Sequence, residues 1–298
     1  MAHRGGGGTI HAMMAAIMQA VLTPTGGERM RARPHSLVRW AAVLILLIAC
    51  FCLLHRCSAF RVQPDARTTP IGVNDTPVTA IVSDTPDPYW TTRAHMVEFD
   101  IEQRGITEPE VLRAARQVPR HEFVLPEYLS MAYADRPLPI GYGQTISQPY
   151  IVAVMTELLR LKPGDRVLEV GTGSGYQAAI LAELTKEVYS VEIIEELHLR
   201  ATETLNRLGY PVITKHADGY YGWEEHSPYD AIIVTAAPDH IPQPLVQQLG
   251  DGGRLVIPVG PKGAFQTLWL VEKQGEDVTS RNVMGVVFVP LTGEHIQR

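Results

Sequence analysis

Arg166-Val167-Leu168-Glu169-Val170-Gly171-Thr172-Gly173-Ser174-Gly175-Tyr176 is the stretch that decides the fold. A short apolar run ends in three glycines at alternate positions, and an apolar stretch up to Leu184 follows. The pattern reads as a buried strand, a tight loop and a helix. Glycines there let the backbone turn sharply and approach whatever lies across the strand ends. Outward from this unit, strand patterns recur at 188–191, 212–215, 231–235 and 254–258, separated by helix patterns at 176–184, 195–208 and 244–249. That alternation predicts a parallel sheet wrapped by helices. Past Pro258 the pattern changes to two strands, 267–271 and 283–289, around a polar, Gly-containing turn, so a β-hairpin should finish the sheet.

The loop also carries chemistry. A dinucleotide fingerprint needs glycine where Tyr176 stands, so that pattern fails and the spacing favours a loop for S-adenosylmethionine. In that reading Gly171, Thr172, Gly173 and Gly175 line the donor, and Glu169 helps hold its cationic methionine part. Glu192 ends the second strand, where a carboxylate accepts both ribose hydroxyls; the competing reading is a surface acid, since Glu195 and Glu196 follow closely. Asp218 and Gly219 follow the third strand. Asp218 is placed to accept from the adenine amino group and Gly219 to leave room for the ring, although Asp-Gly is also a common turn. The expected fold class is α/β, a Rossmann-like class I methyltransferase with a mostly parallel seven-stranded sheet, an antiparallel end hairpin and a small N-terminal helical cap.

Upstream lies Leu138-Pro139-Ile140-Gly141-Tyr142-Gly143-Gln144-Thr145-Ile146-Ser147-Gln148-Pro149-Tyr150. Ser147 has the position of an N-cap for a helix running toward Leu159, with Pro149 in its first turn. Together with 119–124 (PRHEFV), 234–237 (VTAA), 257–260 (IPVG) and 289–292 (VPLT), this segment resembles the protein-L-isoaspartate O-methyltransferase family, from about Met96 to the C-terminus. Thr145-Ile146-Ser147-Gln148-Pro149 is the most family-specific element. The resemblance implies methyl transfer from S-adenosylmethionine to the α-carboxylate of an L-isoaspartyl residue in a damaged protein or peptide. The ester then closes to a succinimide. It further implies that Ser147 is the active-site residue and that Thr292 and Gln297 lie near the donor.

The acceptor carboxylate is already ionised at neutral pH, so positioning should dominate over base catalysis. Ser147 is expected to aim that carboxylate rather than attack as a nucleophile. A backbone-lined slot made by Thr145, Ile146 and Ser147 with Val234, Thr235 and Ala236 should take an extended peptide. No H-x-x-x-H pair occurs, so no metal is expected; His121, His216 and His240 read as structural or solvent-facing.

The remaining sequence bounds organisation. A formal charge of −6 over 298 residues, without a dense basic run in the C-terminal two thirds, offers no footprint for nucleic acid. Cys50, Cys52 and Cys57 all precede Ser58, which removes thiol chemistry from the catalytic region. Residues 1–57 read as a basic leader plus an apolar segment at 40–54, about 15 residues where a spanning helix needs about 20. Residues 58–90, rich in Pro, Thr and Asp, read as a disordered linker, and 91–298 as the catalytic domain with its helical cap at 91–147. Within the cap a helix is expected over 95–103, then a second headed by a Thr107/Glu110 capping box. Membrane association through 40–54 stays open, as does export to the periplasm, which Arg29, Arg31, Arg33 and Arg39 favour. Donor supply favours the cytoplasm. A monomer is expected. Two rivals remain: a methyltransferase of the same fold acting on a metabolite or RNA base, and a tethered, non-enzymatic binding module.

Overall fold

The computed structural model describes residues 87–294. The leader, the apolar segment 40–54, the linker up to residue 86 and Gln297 lie outside the described residues.

The first helix, α1 (Trp90–His95), runs on through a π-helical turn at Met96–Ile101 and a 3-10 turn at Glu102–Arg104, and stops at Gly105 with φ 101°. The helix expected over 95–103 therefore starts earlier and changes pitch twice. The next helix, α2 (Pro109–Gln117), buries Val111, Leu112, Ala114 and Ala115. Its head is not a capping box. Glu108 occupies the cap position without a side-chain bond, and Glu110 pairs with Arg113 at 2.8 Å. The free N–H groups of Thr107 and Glu108 instead donate to Glu157 Oε1, at 2.8 and 2.9 Å. A carboxylate distant in sequence thus holds the N–H groups just ahead of the helix and meets the positive end of its dipole.

Strands β1 (Leu138–Gly141) and β2 (Gln144–Ile146) form a two-stranded hairpin that the sequence reading left unassigned. Its turn residues, Tyr142 at φ 55° and Gly143 at φ 72°, both have the positive φ of a tight hairpin turn. Helix α3 (Pro149–Leu159), to which Glu157 belongs, follows directly. Ser147 is not its cap. Gln148 holds the cap position, and the Tyr150 N–H donates to Asp135 Oδ1 at 3.0 Å. The cap duty falls to Asp135 because its carboxylate also gathers the Gln148 amide and the Arg104 guanidinium.

The main sheet contains β3 (Arg166–Val170), β4 (Glu187–Glu192), β5 (Val212–His216), β6 (Tyr229–Val234), β7 (Leu249–Val259), β8 (Gln266–Gln274) and β9 (Asp277–Val286), in the order β5-β4-β3-β6-β7-β8-β9. The first five in that order pair in parallel, and β8 is antiparallel to both neighbours. Helices α4 (Tyr176–Ala182), α5 (Glu195–Leu208) and α6 (Gln243–Gln247) fill the crossovers. Strand period two splits β3 between faces: Val167 packs with Val188 and Leu181, while Leu168 and Val170 pack with Tyr229, Ile232 and Leu255. Both faces are covered, so the central strands are apolar throughout. Each fully buried aliphatic chain contributes about 1.5–3 kcal/mol.

The end hairpin is longer than expected and shifted. Its second strand closes at Val286, and residues 287–289 leave the sheet, with the Phe288 N–H donating to Gln266 Oε1 at 2.8 Å. Chain order reverses between β3 and β6. Their carboxyl ends therefore open a crevice at the topological switch point.

Candidate active site

Gly171 opens the loop above β3 at φ 100°, and its N–H donates to the Val191 carbonyl of β4 at 2.8 Å. A Cβ on Gly171 would run into Thr235 Oγ1. Thr235 follows β6 and donates to the Gly171 carbonyl at 2.7 Å, locking the two strand ends together. Gly173 and Gly175 are also at positive φ, 54° and 89°.

Glu192 is buried at the tip of β4. One carboxylate oxygen accepts from the Gly173 N–H at 2.8 Å and the other from the Ile194 N–H at 3.0 Å. Each oxygen keeps a lone pair free. Glu192 lines a hollow with Gly171, Gly173, Ile193, Ile194, Gly219 and Thr292. A Cβ on Gly219 would collide with Val170, so only glycine lets this wall lie flat. Asp218 is committed to backbone: its carboxylate accepts from Tyr220 N–H and from Glu294 N–H, both at 3.0 Å, which ties the C-terminal segment across the crevice. The structure does not bring Asp218 into the wall of that hollow, unlike Gly219. The same segment is held by a bridge between Ala237 and Pro290, with the Leu291 N–H donating to the Ala237 carbonyl at 2.9 Å, and this carries Thr292 over the crevice.

A small recess opens on the other side of the glycine loop, lined by Thr145, Ile146, Ser147, Glu169, Thr172 and Gln177 among others. Glu169 is fully buried. Ser190 donates to one of its oxygens and Thr172 bonds Ser190 at 2.6 Å, while the second oxygen has no partner. Burial pushes the Glu169 carboxyl up to about 8, eased by the Ser190 hydrogen bond and reinforced by nearby Glu192. The unsatisfied carboxylate oxygen calls for a positively charged donor, which fits the methionine ammonium of S-adenosylmethionine.

A wider groove of about 310 Å³ runs from Ser147 past Gln148, Tyr150, Thr235 and Phe265 to residues 284–289. Val234, expected in the peptide slot, is instead fully buried in the core and lines none of the three cavities, because its side chain falls on a covered face of the sheet, and Ala236 borders the hollow beside Glu192. Thr145 and Thr235 line the hollow, the recess and the groove alike, and Ser147 lines the last two. The side chains expected to handle donor and acceptor therefore meet at one junction. Among the described residues no group of three or more His, Cys, Asp or Glu side chains could hold a metal ion. His121 bonds Tyr133 at 2.6 Å, His216 bonds the Ile193 carbonyl at 3.0 Å, and His240 is exposed beside Asp239.

A family model described as protein-L-isoaspartate(D-aspartate) O-methyltransferase matches residues 91–296. The chain belongs to that family. Among relatives, a protein-L-isoaspartate O-methyltransferase 2 of Polaromonas sp. is 58% identical over 189 residues, 63% of this chain and 90% of that protein. A protein-L-isoaspartate O-methyltransferase of Picosynechococcus sp. is 56% identical over 208 residues, 70% of this chain and 93% of that protein. A solved protein-L-isoaspartate O-methyltransferase matches with a TM-score of 0.61 at 31% identity, covering 67% of this chain and 66% of that one. A putative Plasmodium falciparum family member, solved in complex with S-adenosyl-L-homocysteine, matches with a TM-score of 0.59 at 27% identity, covering 67% and 98%. As a protein-L-isoaspartate O-methyltransferase, the chain is an S-adenosylmethionine-dependent transferase with the expected class I fold.

Sequence reasoning missed Gln177, Asp135, Arg104 and Phe265. Gln177 follows the glycine loop by two residues, and a polar side chain at the buried start of a helix was its only signal. Arg104 and Phe265 carried none, because each reaches the groove from a separate, distant segment, and Asp135 carried none because it stands behind the groove and holds Gln148, Tyr150 and Arg104.

Proposed function

We propose that this transferase methylates the α-carboxylate of L-isoaspartyl residues in damaged proteins and peptides at the Ser147 junction, with the donor in the recess and hollow and the peptide in the groove. The observation that carries the assignment is that Ser147 lines both the buried, acid-lined recess and the wide, largely apolar groove. S-adenosylmethionine supplies an electrophilic sulfonium methyl. Gly171, Thr172 and Gly173 line its path, while Gly175 lines no cavity and turns the chain into α4 against Leu205 and Ala201; Glu169 meets its ammonium end, Glu192 offers its free lone pairs to the ribose hydroxyls, and Gly219 and Thr292 wall the base. Asp218 positions the closing segment by its bonds to Tyr220 and Glu294. Gln297 belongs to the same closing run.

Among the described residues the Ser147 hydroxyl makes no side-chain hydrogen bond, so it is free to donate to the acceptor carboxylate. Thr145, Ile146, Thr235 and Ala236 shape the slot, with Val234 packed in the core behind them. An already ionised nucleophile needs alignment more than activation. Ser147→Ala should therefore lower turnover on an isoaspartyl peptide roughly tenfold or more, the value of a hydrogen bond to a charged group, and leave S-adenosylhomocysteine affinity nearly unchanged. A large loss of that affinity would overturn the role. Equal methylation of matched isoaspartyl and aspartyl peptides would overturn the substrate.

The domain acts as a monomer on the cytoplasmic side, where its donor is made. Among the described residues no helix is long and apolar enough to cross a membrane. Sedimentation, and protease protection after cell fractionation, test these two statements.

A further inference from the structure

The recess beside the glycine loop holds two buried side-chain oxygens without hydrogen-bond partners, on Glu169 and Gln177. Gln177 Nε2 donates to Thr156 Oγ1 at 2.9 Å, and that hydroxyl is itself spent on the Val152 carbonyl at 2.7 Å. Thr156 can only accept from Gln177, which fixes the amide orientation. The Gln177 carbonyl oxygen is therefore an acceptor, and it is buried with no partner. One oxygen of Glu169 likewise has no partner. Both side chains line a recess of about 30 Å³, room for one small polar group. Once Glu169 is ionised, the two unpaired acceptors in a buried site cost free energy that one cationic donor with several N–H groups removes.

The electrostatics are one-sided. Around Glu169, β4 contributes Ser190 and the carboxylate of Glu192, α4 contributes Tyr176 and Gln177, α3 contributes Val152, and the segment after β2 contributes Ser147. Burial holds Tyr176 neutral, pushed up to about 12, with Arg120 lying against the Tyr176 ring. Thus no basic side chain of the recess compensates Glu169, and Glu192 opposes its ionisation. A carboxyl so placed keeps its proton near neutral pH.

We infer that Glu169 and Gln177 form a seat for the α-ammonium group of the donor, reached directly or through one water, and that filling it expels one proton from Glu169 to solvent. The inference rests on the donor assignment above and adds Gln177 and a proton count to it. The balance is simple: the Glu169 O–H bond breaks, the proton goes to buffer, and the carboxylate gains the ammonium as partner. The Thr172-Ser190-Glu169 hydroxyl chain gives the proton a route toward the recess. Because Glu169 must ionise to hold the cation, affinity falls about tenfold per pH unit below its free pKa and levels off above it.

Calorimetric titration of the full chain with S-adenosylhomocysteine, in two buffers of different ionisation enthalpy, reads the proton count. At pH 7 close to one proton should leave per ligand, declining toward none well above pH 8. Methylthioadenosine, which lacks the amino acid end, should bind without proton release. Glu169→Gln should bind S-adenosylhomocysteine with no proton release and a flat pH profile. Gln177→Leu should weaken it severalfold without changing the proton count or methylthioadenosine affinity. S-adenosylhomocysteine binding with no buffer dependence in the unaltered protein, or equal release with methylthioadenosine, overturns the inference alone. Failure to bind S-adenosylhomocysteine at all overturns the donor assignment with it.

Discussion

The Thr235 hydroxyl donates to the Gly171 carbonyl at 2.7 Å and fills the space that a Cβ on Gly171 would need. One contact thus joins the ends of β3 and β6, sets the mouth of the crevice and makes glycine obligatory. Gly171→Ala should abolish S-adenosylhomocysteine binding and lower stability by roughly 1–3 kcal/mol, combining steric conflict with a positive-φ alanine. The double variant with Thr235→Ala should recover part of the stability, since room returns while φ stays unfavourable. Thermal unfolding of both variants checks this, and an unaffected single variant would contradict it.

Glu157 caps α2 from α3 by accepting from two free N–H groups. Glu157→Ala should destabilise the domain by about 1–2 kcal/mol, the usual scale for a lost cap. Glu157→Gln, which keeps the acceptor oxygen, should lose only a fraction of that. Urea unfolding of the two variants separates a cap from an incidental surface contact.

Asp135 gathers the Tyr150 N–H at 3.0 Å, the Gln148 amide at 2.6 Å and the Arg104 guanidinium at 2.5 Å. All three lie on the wall of the groove next to Ser147. Asp135→Ala should raise KM for an isoaspartyl peptide severalfold while S-adenosylhomocysteine affinity stays within about twofold, because truncating one centre loosens three wall residues at a cost of about 1 kcal/mol per bond. Equal losses on both ligands would instead mean a global defect.

Glu169 contributes a pH dependence to the stability of the free protein. Its carboxyl sits near 4.5 when unfolded and is pushed up to about 8 in the fold. Between those values the folded state binds the extra proton. Its contribution to stability is thus fully present below about pH 4.5 and is lost as pH rises through about 8. Urea midpoints from pH 5 to 9 should fall less for Glu169→Gln than for the unaltered chain, and saturating S-adenosylhomocysteine should flatten the difference. Identical slopes would remove Glu169 as the source.

The elements legible in the sequence were those whose signal is local. Helix α5 (Glu195–Leu208) and strand β3 (Arg166–Val170) were read at their observed limits, since an amphipathic period and a glycine stop need no distant partner. The β1-β2 hairpin was missed because its strands are only four and three residues long, too short to show alternation. Capping was misread at both Thr107 and Ser147 for a shared reason. In each case a carboxylate remote in sequence, Glu157 or Asp135, satisfied the helix head. Residues 287–289 were read as strand because three apolar residues look alike in a sheet edge and in a groove wall.

The sequence by itself determined the class of sheet, the donor loop from Gly171 to Gly175 and the family element from Thr145 to Pro149, because spacing along a chain suffices for backbone turns and periodic faces. Tertiary structure alone decided that Ser147 is released from helix capping, that Thr145 and Thr235 stand where all three cavities meet, and that Gln177 joins Glu169 in the recess. These are pairings across long stretches of chain, set by strand order and packing, and local pattern carries no record of which distant side chain will satisfy a given hydrogen bond.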